Sequence, residues 1–410
     1  MTDTQPPPGQ VNVNVDRRNR LGPAALLGAV ALAVIAAIVI ISTLRPSDGT
    51  PATAPTASAS SSASATSASA TSSASPTSST TPAGSGAPSA TTAAGVRPDA
   101  QHGIIVPTGG LRTEADPQPV QDPAVLRDAP STASVSPDGK RVALIRISGS
   151  TYQIRTFTTA RPNDVATILD LTGTGEITGH LVWAGDGSNT LLFEATKETR
   201  GQGGGDNQIW EYSALRTIDV GTKDVREIAR VSGQNRKLWP LAWLPAQQLA
   251  GALEMEPLGP IGNYLVVRNG AIERTALNPK SDIGKFDASR DGQRILMNRQ
   301  TSLRWWPVGS PSAAKDLPGR GDQIAYAEFR PGADEIGVDV PAGGRFEIWT
   351  LDGAVRVVAT RVTGFSHWRA DGTAAIVSPD PNTVLLLDPN TGATVPLPGG
   401  GFPVLVTVLF

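Results

Sequence analysis

A short turn set between two apolar runs recurs along the C-terminal two-thirds of this chain. A bulky or apolar residue stands three places before each copy of the turn. The clear copies are Val135-Ser-Pro-Asp138-Gly139, Trp183-Ala-Gly-Asp186-Gly187, Ala288-Ser-Arg-Asp291-Gly292 and Trp368-Arg-Ala-Asp371-Gly372. Two more keep the frame with altered turns, Trp243-Leu-Pro-Ala246 and Phe329-Arg-Pro-Gly332. Turn positions 138, 186, 246, 291, 332 and 371 are 48, 60, 45, 41 and 39 residues apart. Each turn is followed by a β-run, then by a third strand such as "NQIWEY" or "RFEIWTL", then by a fourth such as "VREIA" or "VRVVA". A four-stranded unit repeated every ~40–50 residues predicts the blades of a β-propeller. One such sheet cannot bury both its faces, whereas a ring of them buries each face against a neighbour. The residue three places before the turn is then the wedge between blades. Asp-Gly follows from hairpin chemistry, because glycine adopts positive φ without steric penalty.

The stretch "SVSPDGKRVAL" (residues 134–144) resembles the repeat of TolB-type propellers, whose blades carry a Ser-Pro-Asp-Gly turn between their first two strands. "NQIWEY" and "RFEIWTLDG" are similar to the third strand of that unit. The resemblance covers residues ~130–400 and implies an all-β propeller of a kind found in periplasmic scaffolds, peptidase regulatory domains and envelope lipoproteins. A looser resemblance is to the actinobacterial LpqB lipoproteins, which end in an extracytoplasmic propeller. Six units are legible. Two strand-like runs are left over, "GIIVP" (residues 103–107) and "FPVLVTVLF" (residues 402–410). Either completes the first or last blade and closes the ring; alternatively both termini build a seventh blade.

The N-terminal third has a different character. Residues 21–44, "LGPAALLGAVALAVIAAIVIISTL", carry no charge. At ~1.5 Å per residue that length spans a ~30 Å hydrocarbon core. Arg17, Arg18 and Arg20 precede the segment and only Arg45 follows it closely, which predicts a cytoplasmic N-terminus and an outside C-terminal part. A cleaved signal peptide is the competing reading, although its apolar core is normally only ~7–15 residues. From Gly49 to Val96 the chain has no charge and is almost wholly Ala, Ser, Thr, Pro and Gly, too little apolar surface to offset the entropy of ordering. At ~5–6 Å × √n its ends average ~40 Å apart. The organisation expected is a cytoplasmic tail (1–20), a transmembrane helix (21–44), a disordered linker (45–103) and a propeller (104–410).

The chain has no cysteine, which removes disulfides, thiolate metal sites and cysteine nucleophiles. Its three histidines, His102, His180 and His367, have no neighbour at metal-ligand spacing, and the net charge of −2 gives no basic footprint for nucleic acid. There is no Gly-x-Ser-x-Gly elbow, His-Glu-x-x-His or Walker loop. No catalytic, cofactor or metal residue is assigned. The repeated turn aspartates are expected to bond their own turns. Asp334, Glu335 and Asp339 are expected to form a solvated acidic turn.

All eight tryptophans lie between residues 183 and 368. Six occupy wedge or third-strand positions; Trp239 and Trp306 are left over. Exposed tryptophan near arginine is typical of interface hot spots. The candidate partner-binding residues are therefore Trp239, Trp306, Arg236 and Lys237, with Gln202 in the glycine-rich loop of residues 196–207. The function expected is a membrane-anchored, non-enzymatic binding or scaffold module for an envelope protein, peptide or polysaccharide. The alternatives are a hydrolase or lyase acting on envelope carbohydrate and an accessory of a membrane sensor kinase. Convergence of Glu254, Glu256, Arg236 and Lys237 with an aspartate from another blade would favour the enzyme; exposed Trp239 and Trp306 on one face would favour the binder.

Overall fold

In the blade that runs from residue 133 to 170, four strands follow one another and pair in chain order: Ala133–Val135, Arg141–Ser148, Thr151–Thr158 and Arg161–Asp170. Five further sheets repeat this scheme, with first strands Leu181–Trp183, Lys237–Leu244, Phe286–Ala288, Tyr326–Phe329 and Gly364–Trp368. Every pairing is antiparallel. These are six blades of a propeller, numbered 1 to 6 here, and among the described residues helix is confined to three short 3-10 turns. Blade 2 gains a fifth strand, Glu176–Ile177, beside Thr190–Arg200. The computed structural model describes residues 96–98, 100, 103–106, 110–116, 133–200, 208–233, 236–255, 261–277, 285–380, 383–398 and 407–408. The candidate membrane segment, nearly all of the linker, Gln202 and Glu256 lie outside the described residues. Among the described residues no helix is long and apolar enough to cross a membrane.

The turns behave as their chemistry requires. Gly139, Gly187, Gly292 and Gly372 all have φ between 67° and 75°. Asp138, Asp186, Asp291 and Asp371 each accept a backbone N–H two residues on, from Lys140, Ser188, Gln293 and Thr373. Side chains alternate between the two faces of each blade, so the core is divided among the interblade seams. Trp183 packs with Ala143 and Ile145 of blade 1, Trp243 with Leu192 and Leu215 of blade 2, and Trp368 with Phe346 and Ile348 of blade 5. The wedge position thus points to the preceding blade around the ring.

The termini do not complete an existing blade. Gly103–Val106 pairs with Gly110–Thr113 on one side and with Thr407–Val408 on the other, making a separate three-stranded sheet. Leu111 from this sheet packs on Val142, Leu144 and Phe157 of blade 1. On the other flank Glu114 is buried against Arg369 of blade 6, whose Nε donates to Glu114 Oε1 at 2.8 Å and whose Nη2 donates to the carbonyl of Arg97 at 2.7 Å. The small sheet, built from strands before blade 1 and after blade 6, therefore stands between blades 6 and 1, beside the six blades.

Candidate functional site

The residue just before each wedge occupies one column of the repeat: Ser134, Val182, Ala242, Asp287, Glu328 and His367. Ring closure brings all six to the wall of one central channel, with a cavity of about 250 Å³. Blades 1 to 3 contribute small or apolar side chains, and blades 4 to 6 contribute two carboxyl groups and an imidazole. Three ionisable groups from three successive blades thus meet on one side of the channel. The turn column is equally uneven: Pro137, Pro245 and Pro331 stand where blade 4 has Arg290. The Arg290 guanidinium reaches across the channel and donates from Nη2 to the carbonyl oxygen of Ser136 in blade 1, at 3.2 Å. Its Nε is buried without a partner. The Asp-Gly turn end of the channel is crossed by this side chain, and the inner strands begin at the opposite end.

Asp287 Oδ2 accepts the backbone N–H of Phe329 from blade 5 at 3.2 Å. Burial, and then the negative charge of Glu328, push its carboxyl well above the usual carboxylate range. Glu328 Oε2 lies 3.1 Å from His367 Nδ1, and the Tyr326 hydroxyl lies 3.4 Å from the same nitrogen. Burial and the two acids raise the Tyr326 phenol too. Lys285 sits over the Tyr326 ring, 5.6 Å from its centroid. Among the described residues no lysine or arginine forms an ion pair with Asp287 or Glu328, and no three histidine or acidic side chains are disposed to hold a metal ion.

The residues singled out in the sequence lie elsewhere. Trp306 is 2 % exposed and offers no surface to a partner. It packs edge-on to Tyr264 and Phe286 in the seam between blades 3 and 4, while Trp305 enters the seam between blades 4 and 5. Adjacent residues of a strand face opposite ways, and in a propeller both ways are interior; that corrects the expectation of exposure. Trp239 is half-buried and stacked on His180, ring centroids 4.1 Å apart. Arg236 Nη1 is 2.9 Å from Glu254 Oε2, and Lys237 Nζ is 3.6 Å from Glu194 Oε1. Glu254 also accepts from Asn263 at 2.6 Å and from Arg274. Burial opposes its charge, but the bonds from Arg274, Asn263 and Arg236 outweigh that and hold its carboxyl below the ordinary range. Arg236 and Lys237 are thus engaged with acids of blades 3 and 2, and Glu254 joins no aspartate of another blade.

Of the acidic trio, Asp334 is exposed in its turn as expected, and Asp339 is the one corrected. Asp334 pairs with Arg294 at 2.7 Å and Glu335 with Arg330 at 2.6 Å, whereas Asp339 is 4 % exposed and raised to about 6 by burial. The 196–207 loop is shorter than expected, because the strands continue to Arg200 and resume at Gln208.

No known family matches the sequence, and no curated protein does. Solved structures are similar in part. Acylaminoacyl peptidase from Pyrococcus horikoshii is 16 % identical with a TM-score of 0.47, over 66 % of this chain and 45 % of that one. This chain thus spans less than half the length of that peptidase. The periplasmic gluconolactonase of Pseudomonas aeruginosa is 12 % identical with a TM-score of 0.48, over 75 % and 99 %. Oligogalacturonate lyase from Vibrio parahaemolyticus is 9 % identical with a TM-score of 0.42, over 64 % and 74 %. All three scores lie under 0.5, and the propeller architecture rests on the strand pairing described above.

Proposed function

We propose that this chain is a binding module, anchored in the cell membrane by residues 21–44 with its N-terminus in the cytoplasm, that displays the propeller outside the membrane. The Ala/Ser/Thr/Pro-rich stretch serves as its spacer. The occupant of the channel is a slender polar part of an envelope protein or peptide, taken in at the end where the inner strands begin. One observation carries this reading: the column Asp287, Glu328 and His367 sets three ionisable groups on one wall of a narrow channel, where packing has no use for them. The cavity is smaller than the ~300–1,000 Å³ of ordinary small-molecule sites, which suits a side chain or chain end. The likeness of the Ser136-Pro-Asp-Gly139 turn to those of TolB-type propellers supports an envelope role.

In-cell photo-crosslinking tests it. A crosslinker at Lys285, exposed beside the inner strand of blade 4, is expected to give one dominant protein or peptide adduct. The same crosslinker at Val357, exposed on the outermost strand of blade 5, is expected to give none. No adduct from Lys285, or the same adduct from both, overturns the assignment of a protein or peptide partner to the channel.

A second reading has its own observation. An acid pushed up by burial beside a second carboxyl is the arrangement that general acid–base catalysts use. In this reading Asp287 is the general acid of a hydrolase or lyase on envelope carbohydrate. Incubating the protein with envelope glycans, and following products by mass spectrometry, decides it: turnover abolished by Asp287→Asn supports the enzyme.

A further inference from the structure

The channel is lopsided in a way that specifies more than polarity. On the side of blades 2 and 3 its wall is Val182, Leu241 and Ala242; on the side of blades 4 and 5 it is Asp287 and Glu328. A ligand that fits both sides has an apolar stem and a cationic head. We propose that the channel takes the ammonium or guanidinium group of a lysine or arginine side chain, with the methylene stem against Val182 and Leu241 and the head between Asp287 and Glu328. This rests on the channel being the binding site of the module. A sugar is disfavoured, because its hydroxyls would be stripped of water against the apolar half with nothing to bond.

Charged groups from three blades surround the channel. Lys285 and Arg290 come from blade 4, Tyr326, Glu328 and Asp339 from blade 5, and His367 from blade 6. At the floor Asp138, Asp371 and Glu328 all act on Arg290 and favour its charged form, against the burial that lowers it. Arg290 answers to Asp138 and Asp371 as well as to Glu328, and so does not serve as a dedicated counter-charge for Asp287. Arg290 is tied to Ser136 of the opposite wall and reaches Asp287 with no ion pair. An arriving cation supplies the charge that lets Asp287 ionise, and its proton leaves to solvent. Cation binding therefore strengthens as pH rises through the range in which Asp287 loses its proton, then levels off.

The test uses the full-length protein in detergent, with n-butylammonium and propylguanidinium as probes and n-butanol and glucosamine as controls, followed by ligand-observed NMR. Saturable binding of both cations is expected, tighter at pH 8 than at pH 5, with n-butanol and glucosamine not binding. Asp287→Asn and Glu328→Gln are each expected to weaken the cations about tenfold, the size of a lost charge-assisted bond. Thermal melts check that both variants fold, and the controls on the unaltered protein stand even if they do not. Equal binding of n-butanol, preference for glucosamine, or cation binding unchanged in both folded variants overturns the proposal. If the Lys285 adduct persists while the cations fail to bind, this inference falls and the binding module stands. If the cations bind with no adduct from Lys285, the pocket stands and the protein partner falls.

Discussion

Glu114 and Asp287 are both acids taken out of bulk water, and the fold treats them oppositely. Glu114, at the seam between the terminal sheet and blade 6, is 1 % exposed and gripped by the Arg369 guanidinium. Asp287, on the channel wall, meets a backbone N–H and another carboxyl. The same contrast holds around the ring. Glu176 is held by Arg216, Glu254 by Arg236 and Arg274, and Glu347 by Arg345. These wall carboxylates are matched with fixed cations, which makes them parts of the scaffold. Those facing the channel are left to be matched from outside. The difference teaches where to look in a repetitive fold: the informative residues are the ones whose charge the repeat leaves unbalanced.

The sharpest way to break the comparison is to unpair a wall carboxylate. Arg369→Met leaves Glu114 buried without its cation and is expected to cost about 3–5 kcal/mol in denaturant unfolding. A loss under about 1 kcal/mol would show that this seam is not what holds the terminal sheet to the ring.

Glu194 tests whether backbone donors substitute for a fixed cation. It is fully buried, accepts from the N–H groups of Gly179 and His180, and has Lys237 at 3.6 Å, yet burial raises it to about 7. Its folded value exceeds its ordinary one, so the folded protein holds the proton more tightly. The corresponding stability is present below pH ~4.5 and is lost as pH rises to ~7, an order-of-magnitude ~3 kcal/mol. Glu194→Gln is expected to flatten that part of the stability–pH curve; an unchanged curve refutes the shift.

Asp287 behaves in the same direction for a different cause. Its raised carboxyl costs stability once pH is high enough to ionise it in the empty channel, so Asp287→Asn is expected to raise the melting temperature more at pH 8 than at pH 5. A melting temperature lowered equally at both would make Asp287 a structural residue like Glu114. The smallest effect belongs to the Trp239–His180 stack: Trp239→Leu removes it and is expected to cost about 0.5–1.5 kcal/mol, with no change in cation binding. Weakened cation binding would move the site from the channel to this stack.

Much of the ring was legible in the residues. Asp-Gly turns, the wedge at positions such as Trp183 and Trp368, and the four-strand unit are local properties, set by turn dihedrals and by alternation along a strand. The same repeat already held the column Asp287, Glu328 and His367, one place before the wedge. That signal was readable by comparing neighbouring columns for charge, whereas searching for tryptophans led to Trp306, which packing consumes.

What the chain alone determined is therefore the blade and its frame, because hairpin chemistry and side-chain alternation act over a few residues. Which column faces the channel, that Arg290 spans it to Ser136, that Glu254 is neutralised while Asp287 is not, and that the two ends of the chain pair with each other were decided only by the tertiary structure. Each of those depends on residues from different blades, separated by tens to hundreds of positions, being brought together when the ring closes.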